Sequence, residues 1–104
     1  MRELLLGLLL LPGIALAGEG PPAERQAELL YLLRQDCGSC HGMTLRGGLG
    51  PSLLPEALAD RDPETLAGII RDGVPGTPMP PWGFEITREE ARWLARRLKQ
   101  GVEP

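Results

Sequence analysis

The run Cys37-Gly38-Ser39-Cys40-His41 constrains this chain of 104 residues more than any other feature. Two thiols that are two residues apart, followed at once by an imidazole, are typical of a c-type haem attachment site. Each thiol can add to one vinyl group of the porphyrin, and the imidazole can then bind the iron from the proximal side. The two intervening residues are small, so we expect a tight turn close to the macrocycle. The motif therefore predicts one covalent haem c on Cys37 and Cys40, with His41 as an iron ligand.

Two other interpretations of the cysteine pair are less consistent with the rest of the sequence. A redox-active Cys-x-x-Cys pair is typical of a βαβ pattern, and no such pattern surrounds these thiols. A structural zinc site needs about four ligands. The chain contains two cysteines and one histidine. Both alternatives are therefore disfavoured.

The N-terminal segment has the features of a cleaved secretory signal peptide. Arg2 supplies a positive charge, residues 4–11 are apolar apart from one glycine, and residues 15–17 form a small-x-small cleavage pattern. An uncleaved anchor is the alternative, but residues 4–17 are fewer than the about 20 needed to span a bilayer. We therefore predict a signal peptide over residues 1–17 and a periplasmic protein without stable membrane insertion after cleavage.

The remaining chain is long enough for one small domain. Residues 18–22 are predicted to be a flexible lead-in, and residues 23–101 to be the folded domain, expected to be a monomer. A domain of this size has a marginal apolar core, to which a covalent haem adds a large apolar surface. The formal net charge of −3 argues against nucleic acid as a partner.

Apolar spacing and capping residues predict helices and no strands. We expect helices at residues 23–36, at 63–72 after an Asp62 cap, and at 88–100 after a Thr87 capping box, with one further turn at 55–59. The predicted inward-facing residues are Ala27, Leu30, Tyr31 and Leu33 in the first helix, Leu66, Ile69 and Ile70 in the second long helix, and Ala91, Leu94, Ala95 and Leu98 in the last. The basic residues of the last helix are expected to face solvent.

Residues 42–54 are rich in glycine and read as a loop. A histidine that binds iron through one ring nitrogen needs a hydrogen-bond acceptor for the other. A backbone carbonyl near Gly50-Pro51 can supply it, because the ring of Pro51 stiffens this part of the loop. A plain turn is the equally good alternative.

Met79 is the predicted second iron ligand. The chain has no second histidine, and Met43 follows His41 by two residues, which spans only about 7 Å. Met79 lies in the stiff, proline-rich segment 74–83, far enough along the chain to reach the opposite face of a porphyrin. An iron with two protein ligands favours an electron carrier over an enzyme. Trp82, in the same segment, either covers the haem or forms an apolar platform for a partner.

The order of these motifs resembles that of a class I cytochrome c. Four segments resemble, more closely, the small cytochrome c-55x group: RQDCGSCHG (residues 34–42), LRGGLGP (45–51), PGTPMP (75–80) and EARW (90–93). The resemblance implies an all-α class I cytochrome c fold, with three to four helices around one covalent haem. It also implies attachment at Cys37 and Cys40 and axial ligands His41 and Met79. We further predict an apolar haem pocket, lined by Cys37, Cys40, His41, Pro51, Leu53, Ile69, Ile70 and Met79.

Members of that group accompany the periplasmic nitrite reductase that carries c and d haems. The resemblance therefore implies a monohaem carrier of single electrons to nitrite reductase in denitrification, with no catalytic residues of its own. An accessory factor in the maturation of the reductase's d-type haem is the alternative. A third possibility, an enzyme or gas sensor in which Met79 leaves the iron, is disfavoured because residues 74–84 contain no charged side chain that could act as a distal acid or base.

Overall fold

The computed structural model describes residues 20–103. The predicted signal peptide, residues 1–17, and the first two residues of the predicted lead-in lie outside this range. The described part of the chain contains helices and no strand, which confirms the predicted all-α class. No helix between residues 20 and 103 is long and apolar enough to cross a membrane.

Four helices make up the described chain. The first is continuous through three parts: α1 (Ala23–Leu32), a π-helical turn (Leu33–Cys37) and the single turn α2 (Gly38–His41). Loops then connect the short α3 (Pro55–Leu58), α4 (Pro63–Asp72) and α5 (Arg88–Gln100). This number agrees with the three to four helices that the sequence predicts.

Local sequence signals set the ends of the two later long helices. The Asp62 carboxylate accepts hydrogen bonds from two backbone N–H groups of the first turn of α4, which ends at Gly73 with φ +70°. The Thr87 hydroxyl accepts from the N–H of Glu90, whose carboxylate accepts in return from the N–H of Thr87. α5 ends at Gly101, again at a positive φ. These caps agree with the sequence predictions.

The buried core lies where α1 and α4 pack against α5. Its largest fully buried side chains are Leu29, Leu33, Ile86 and Leu94. The four inward positions predicted for α5 are all buried, whereas the stripe predicted for α1 is partly wrong. Leu29, Leu32 and Leu33 face the core, and Ala27 and Tyr31 are exposed. The hydroxyl of a tyrosine allows its side chain to lie at the surface. Treating Tyr31 as apolar therefore shifts the predicted buried face of the helix by one position.

Some side chains on the polar face of α5 make contacts within the protein, whereas the sequence predicts that its basic residues face solvent. The Lys99 ammonium donates to three backbone carbonyls after α3, and the Arg97 guanidinium lies 5.2 Å from the centre of the Trp93 ring. At the start of the helix, the Glu90 carboxylate receives two hydrogen bonds from Arg25 of α1, of 2.9 and 3.1 Å. Lys99 thus ties α5 to the end of α3 and Glu90 ties it to α1, whereas Arg97 packs on a tryptophan of the same helix.

Candidate functional site

The Cys-x-x-Cys-His motif occupies the end of the first helix rather than a turn after it. The predicted helix end near residue 36 and the predicted tight turn are therefore wrong. Gly38 donates its N–H to the carbonyl of Leu33, five residues back, and the helix stops only at Gly42, where φ is +98°. Gly38 is buried and adopts ordinary helical angles, so the glycine does not break the helix here. π-helical turns of this kind are frequent at functional sites.

The loop after the motif folds back onto the end of that helix. The N–H groups of Gly47 and Gly50 donate to the carbonyls of His41 and Cys40, each at 2.8 Å. These carbonyls are among the last in the helix and have no partner within it. The loop therefore satisfies the helix end and is held against the motif.

His41 is oriented by a backbone carbonyl of the same loop. Its Nδ1 lies 2.7 Å from the carbonyl oxygen of Pro51. A carbonyl can only accept, so Nδ1 carries the proton and Nε2 keeps its lone pair for a metal. Gly50 passes so close that an added Cβ would lie 2.8 Å from two atoms of the imidazole ring. The contact predicted between the loop and His41 is present, and the acceptor is Pro51 itself.

A network of hydrogen bonds fixes the proline-rich segment that carries Met79. The Thr77 hydroxyl donates to the carbonyl of Val74 at 2.7 Å and accepts from the N–H of Met79 at 3.2 Å. The carbonyl of Met79 in turn accepts from the N–H of Val74 at 3.2 Å. Further along, the N–H of Trp82 donates to Ile70 at the end of α4. Met79 is half-buried within a closed local turn.

The motif and the Met79 segment meet in one cavity of about 660 Å³. This volume is within the range of about 300–1,000 Å³ that is usual for small-molecule and cofactor sites. All eight residues that the sequence predicts for a haem pocket line it: Cys37, Cys40, His41, Pro51, Leu53, Ile69, Ile70 and Met79. Met43 does not line it and is 60% exposed.

The cysteines do not have the chemistry of a redox pair. Both are free, and burial, with smaller contributions from the Asp36 carboxylate and from Cys40, raises the pKa of the Cys37 thiol to about 11. Redox-active Cys-x-x-Cys motifs have a lowered thiol pKa instead. Residues 20–103 contain no group of three or more His, Cys, Asp and Glu side chains that could hold a metal ion.

The donor set in the cavity fits a haem of the c type. It comprises two thiols at the spacing of a haem attachment motif, an imidazole with Nε2 available, and a thioether on a fixed segment. Around them the wall is largely aliphatic, with Trp82 as an aromatic member, which suits an apolar porphyrin.

Comparison with known proteins agrees with this description. The family model described as "Cytochrome C oxidase, cbb3-type, subunit III" matches residues 24–96. The chain is 54% identical over 98 residues to cytochrome c55X of Paracoccus denitrificans (strain Pd 1222), and the alignment covers 94% of each chain. The chain belongs to the cytochrome c55X family. It is therefore a c-type cytochrome, and the family implies haem c.

Solved structures of relatives share the fold. A structure of the c-type cytochrome NirC matches with a TM-score of 0.78 and 52% identity, covering 81% of this chain and all of that one. A second structure is of the dihydro-heme d1 dehydrogenase NirN in complex with DHE. It matches with a TM-score of 0.62 and 36% identity, over 69% of this chain and 16% of that chain. The cytochrome c fold predicted from the sequence is thus confirmed.

Reasoning from the sequence missed Thr77, which lines the cavity, and Phe84, which lies outside the wall but stacks on Trp82. Thr77 supports Met79 through an ST-turn, and a threonine two residues before the methionine is a recognisable signal for it. Phe84 is 79% exposed and stacks on Trp82 with ring centres 6.0 Å apart. Trp82 itself is half-buried and lines the cavity. Of the two aromatic side chains, Phe84 has the greater exposure.

Proposed function

We propose that this chain is a periplasmic, single-haem cytochrome that carries electrons one at a time. In this proposal Cys37 and Cys40 hold the porphyrin through thioethers, and His41 and Met79 bind its iron. The observation that carries it is the cavity, which is lined by a motif at residues 37–41 and a methionine 38 residues further on. When bound, the haem supplies one-electron oxidation and reduction at its iron.

The protein contributes the orientation of the two proposed iron ligands. The Pro51 carbonyl orients the imidazole of His41 and selects the tautomer with the proton on Nδ1, which leaves Nε2 as the ligating nitrogen and makes it a stronger ligand. The Thr77 hydroxyl and the hydrogen bond between Val74 and Met79 keep the thioether on a fixed backbone. With His41 and Met79 as ligands, the iron would have no open position for a substrate, which favours a carrier over an enzyme.

The proposed electron acceptor is the periplasmic nitrite reductase of denitrification. Support comes from the membership of this chain in the cytochrome c55X family, together with the partner that the resemblance of its motifs to the c-55x group implies. The small size of the domain also suits a carrier. Electron-transfer partners form short-lived interfaces that bury less than about 1,200 Å² in total.

Maturation of the d-type haem is the second candidate function. The similarity to part of dihydro-heme d1 dehydrogenase favours it, because a domain like this chain is part of a protein named for that chemistry. Both functions use the same covalent haem, so the residues of the site do not separate them.

A deletion strain separates the two candidates. If the chain is a carrier, the strain makes nitrite reductase with its full complement of d haem, but the reductase stays oxidised in the presence of nitrite. If the chain is a maturation factor, the purified reductase lacks d haem. A strain that carries the His41→Ala variant is the matched control, because it retains the polypeptide and loses the iron ligand. A reductase with full d haem and normal turnover in the deletion strain would refute both candidates.

Covalent attachment is tested on the purified protein. Native haem should stay with the polypeptide in acidified organic solvent, whereas the Cys37→Ala, Cys40→Ala double variant should carry none. Extraction of the native haem into the solvent would refute the attachment at these two residues.

A further inference from the structure

Among the cavity-lining side chains of residues 20–103, that of Arg61 carries the only permanent positive charge. Arg61 lies in the turn between α3 and α4, and its side chain is exposed. None of the ion pairs formed within residues 20–103 includes its guanidinium. The other charged group in the wall is the carboxylate of Asp36, next to the thiol of Cys37.

The backbone that carries Arg61 is fixed to α5. Lys99, the only lysine of the chain, donates from Nζ to the carbonyl oxygens of Leu58, Ala59 and Arg61 at 2.9, 3.2 and 2.6 Å. These contacts close the end of α3 and bind the turn to the last helix. The backbone of Arg61 is therefore fixed at one point of the cavity wall, and its side chain can still change rotamer.

The hydroxyl groups of the wall are already engaged in local hydrogen bonds. Thr77 donates to the carbonyl of Val74, Ser39 to the carbonyl of Asp36, and Ser52 to the carbonyl of Leu45. The hydroxyl O–H donors of the wall are therefore occupied. The guanidinium N–H groups of Arg61 remain available to bind an anion. A guanidinium binds a carboxylate with two parallel, charge-assisted hydrogen bonds.

We propose that Arg61 binds a propionate carboxylate of the haem and that this contact raises the reduction potential. The inference rests on the proposed function, because it requires a porphyrin in the cavity. The propionates are on the porphyrin edge remote from the vinyl groups, and Asp36 beside Cys37 would repel them from the attachment side. A fixed positive charge near the iron disfavours the ferric state, which has the greater positive charge. The same charge favours ionisation of the propionate.

The test uses the purified holoprotein and its reduction potential across the neutral pH range. Arg61→Gln should lower the ratio of reduced to oxidised protein several-fold at a fixed ambient potential, and Arg61→Glu should lower it further. In Arg61→Gln the pH at which the potential begins to fall should also move upward, because the propionate then loses its proton less readily. Arg61→Lys keeps the charge and should lie between Arg61→Gln and the native protein.

Arg88→Gln is the matched control, because Arg88 is exposed at the start of α5 and does not line the cavity. It should leave the potential and its pH dependence unchanged. Equal potentials in Arg61→Gln, Arg61→Glu and the control would overturn the propionate contact while leaving the carrier proposal intact. Purified native protein without covalent haem would instead overturn the proposed function, and the propionate contact with it.

Discussion

Replacing Gly73 with alanine should displace the segment that carries Met79. Gly73 is buried at the end of α4 with φ +70° and ψ −174°, a region that side chains other than glycine rarely adopt. An alanine Cβ at this position would lie 2.8 Å from the carbonyl oxygen of Met79 and from backbone atoms of Pro80 and Pro81. Because these neighbours are backbone, the segment can avoid the methyl group only by moving.

Gly76 provides the matched control. It also has a positive φ, of +84°, but no atom lies within 4 Å of the position that its Cβ would occupy. Gly76→Ala should therefore cost only the backbone term, about 1–2 kcal/mol. Gly73→Ala has a backbone term of about 1–3 kcal/mol, to which the steric overlap adds about 1–3 kcal/mol. For a domain of this size, each kcal/mol lowers the melting temperature by about 4–8 °C.

Thermal unfolding and the Met–iron absorption band of the oxidised holoprotein measure the two effects. Gly76→Ala should keep the band and lower the melting temperature by about 4–16 °C. Gly73→Ala should be destabilised by about twice as much or more, and should weaken or lose the band. Equal stability of the two variants, with the band intact in both, would refute the argument that Gly73 is required by the close approach of Met79.

Three further predictions concern side-chain contacts. Thr77→Val keeps the shape of the side chain but removes the hydrogen bonds that support Met79, so the Met–iron band should disappear at a lower temperature than in Thr77→Ser. Lys99→Met removes three hydrogen bonds from a charged donor and should lower the free energy of unfolding in urea by about 1–2 kcal/mol, without a change in the m-value. The hydrogen bonds from Arg25 lower the pKa of Glu90, so the stability from this pair is complete above the ordinary value of 4.5 and is lost as the pH falls through the lower, folded-state value. Acid titration of Arg25→Gln should show a correspondingly smaller loss of stability; an unchanged profile would contradict this reasoning.

Features that depend on a few neighbouring residues could be predicted from the sequence. The caps at Asp62 and Thr87 need only the residues of one helical turn, and both are present. The contact between His41 and Pro51 spans ten residues and could be predicted from the chemistry of a ligating histidine. Eight of the cavity-lining residues could be predicted because the Cys-x-x-Cys-His motif and the proline-rich Met79 segment must face the same porphyrin.

The end of the first helix was predicted wrongly because local propensity is a weak guide there. Gly38 and Ser39 favour a turn, but the glycine is buried in a helical conformation and the serine hydroxyl donates to the carbonyl of Asp36. The extra residue of the π-helical turn has no periodic signal, since it interrupts the spacing on which such predictions rely. Tertiary packing around the motif decides the conformation in this case.

The contacts of Lys99 show where reasoning from sequence ends. A lysine in the last turn of an amphipathic helix has the same pattern whether it faces water or caps another segment. Here its ammonium reaches carbonyls 38 to 41 residues away, at the end of α3. Nothing near residue 99 encodes that partner, because the partner is a set of backbone oxygens that any residues could supply. The position of Arg61 depends on the same contact, so its role at the cavity could be inferred only from the folded chain.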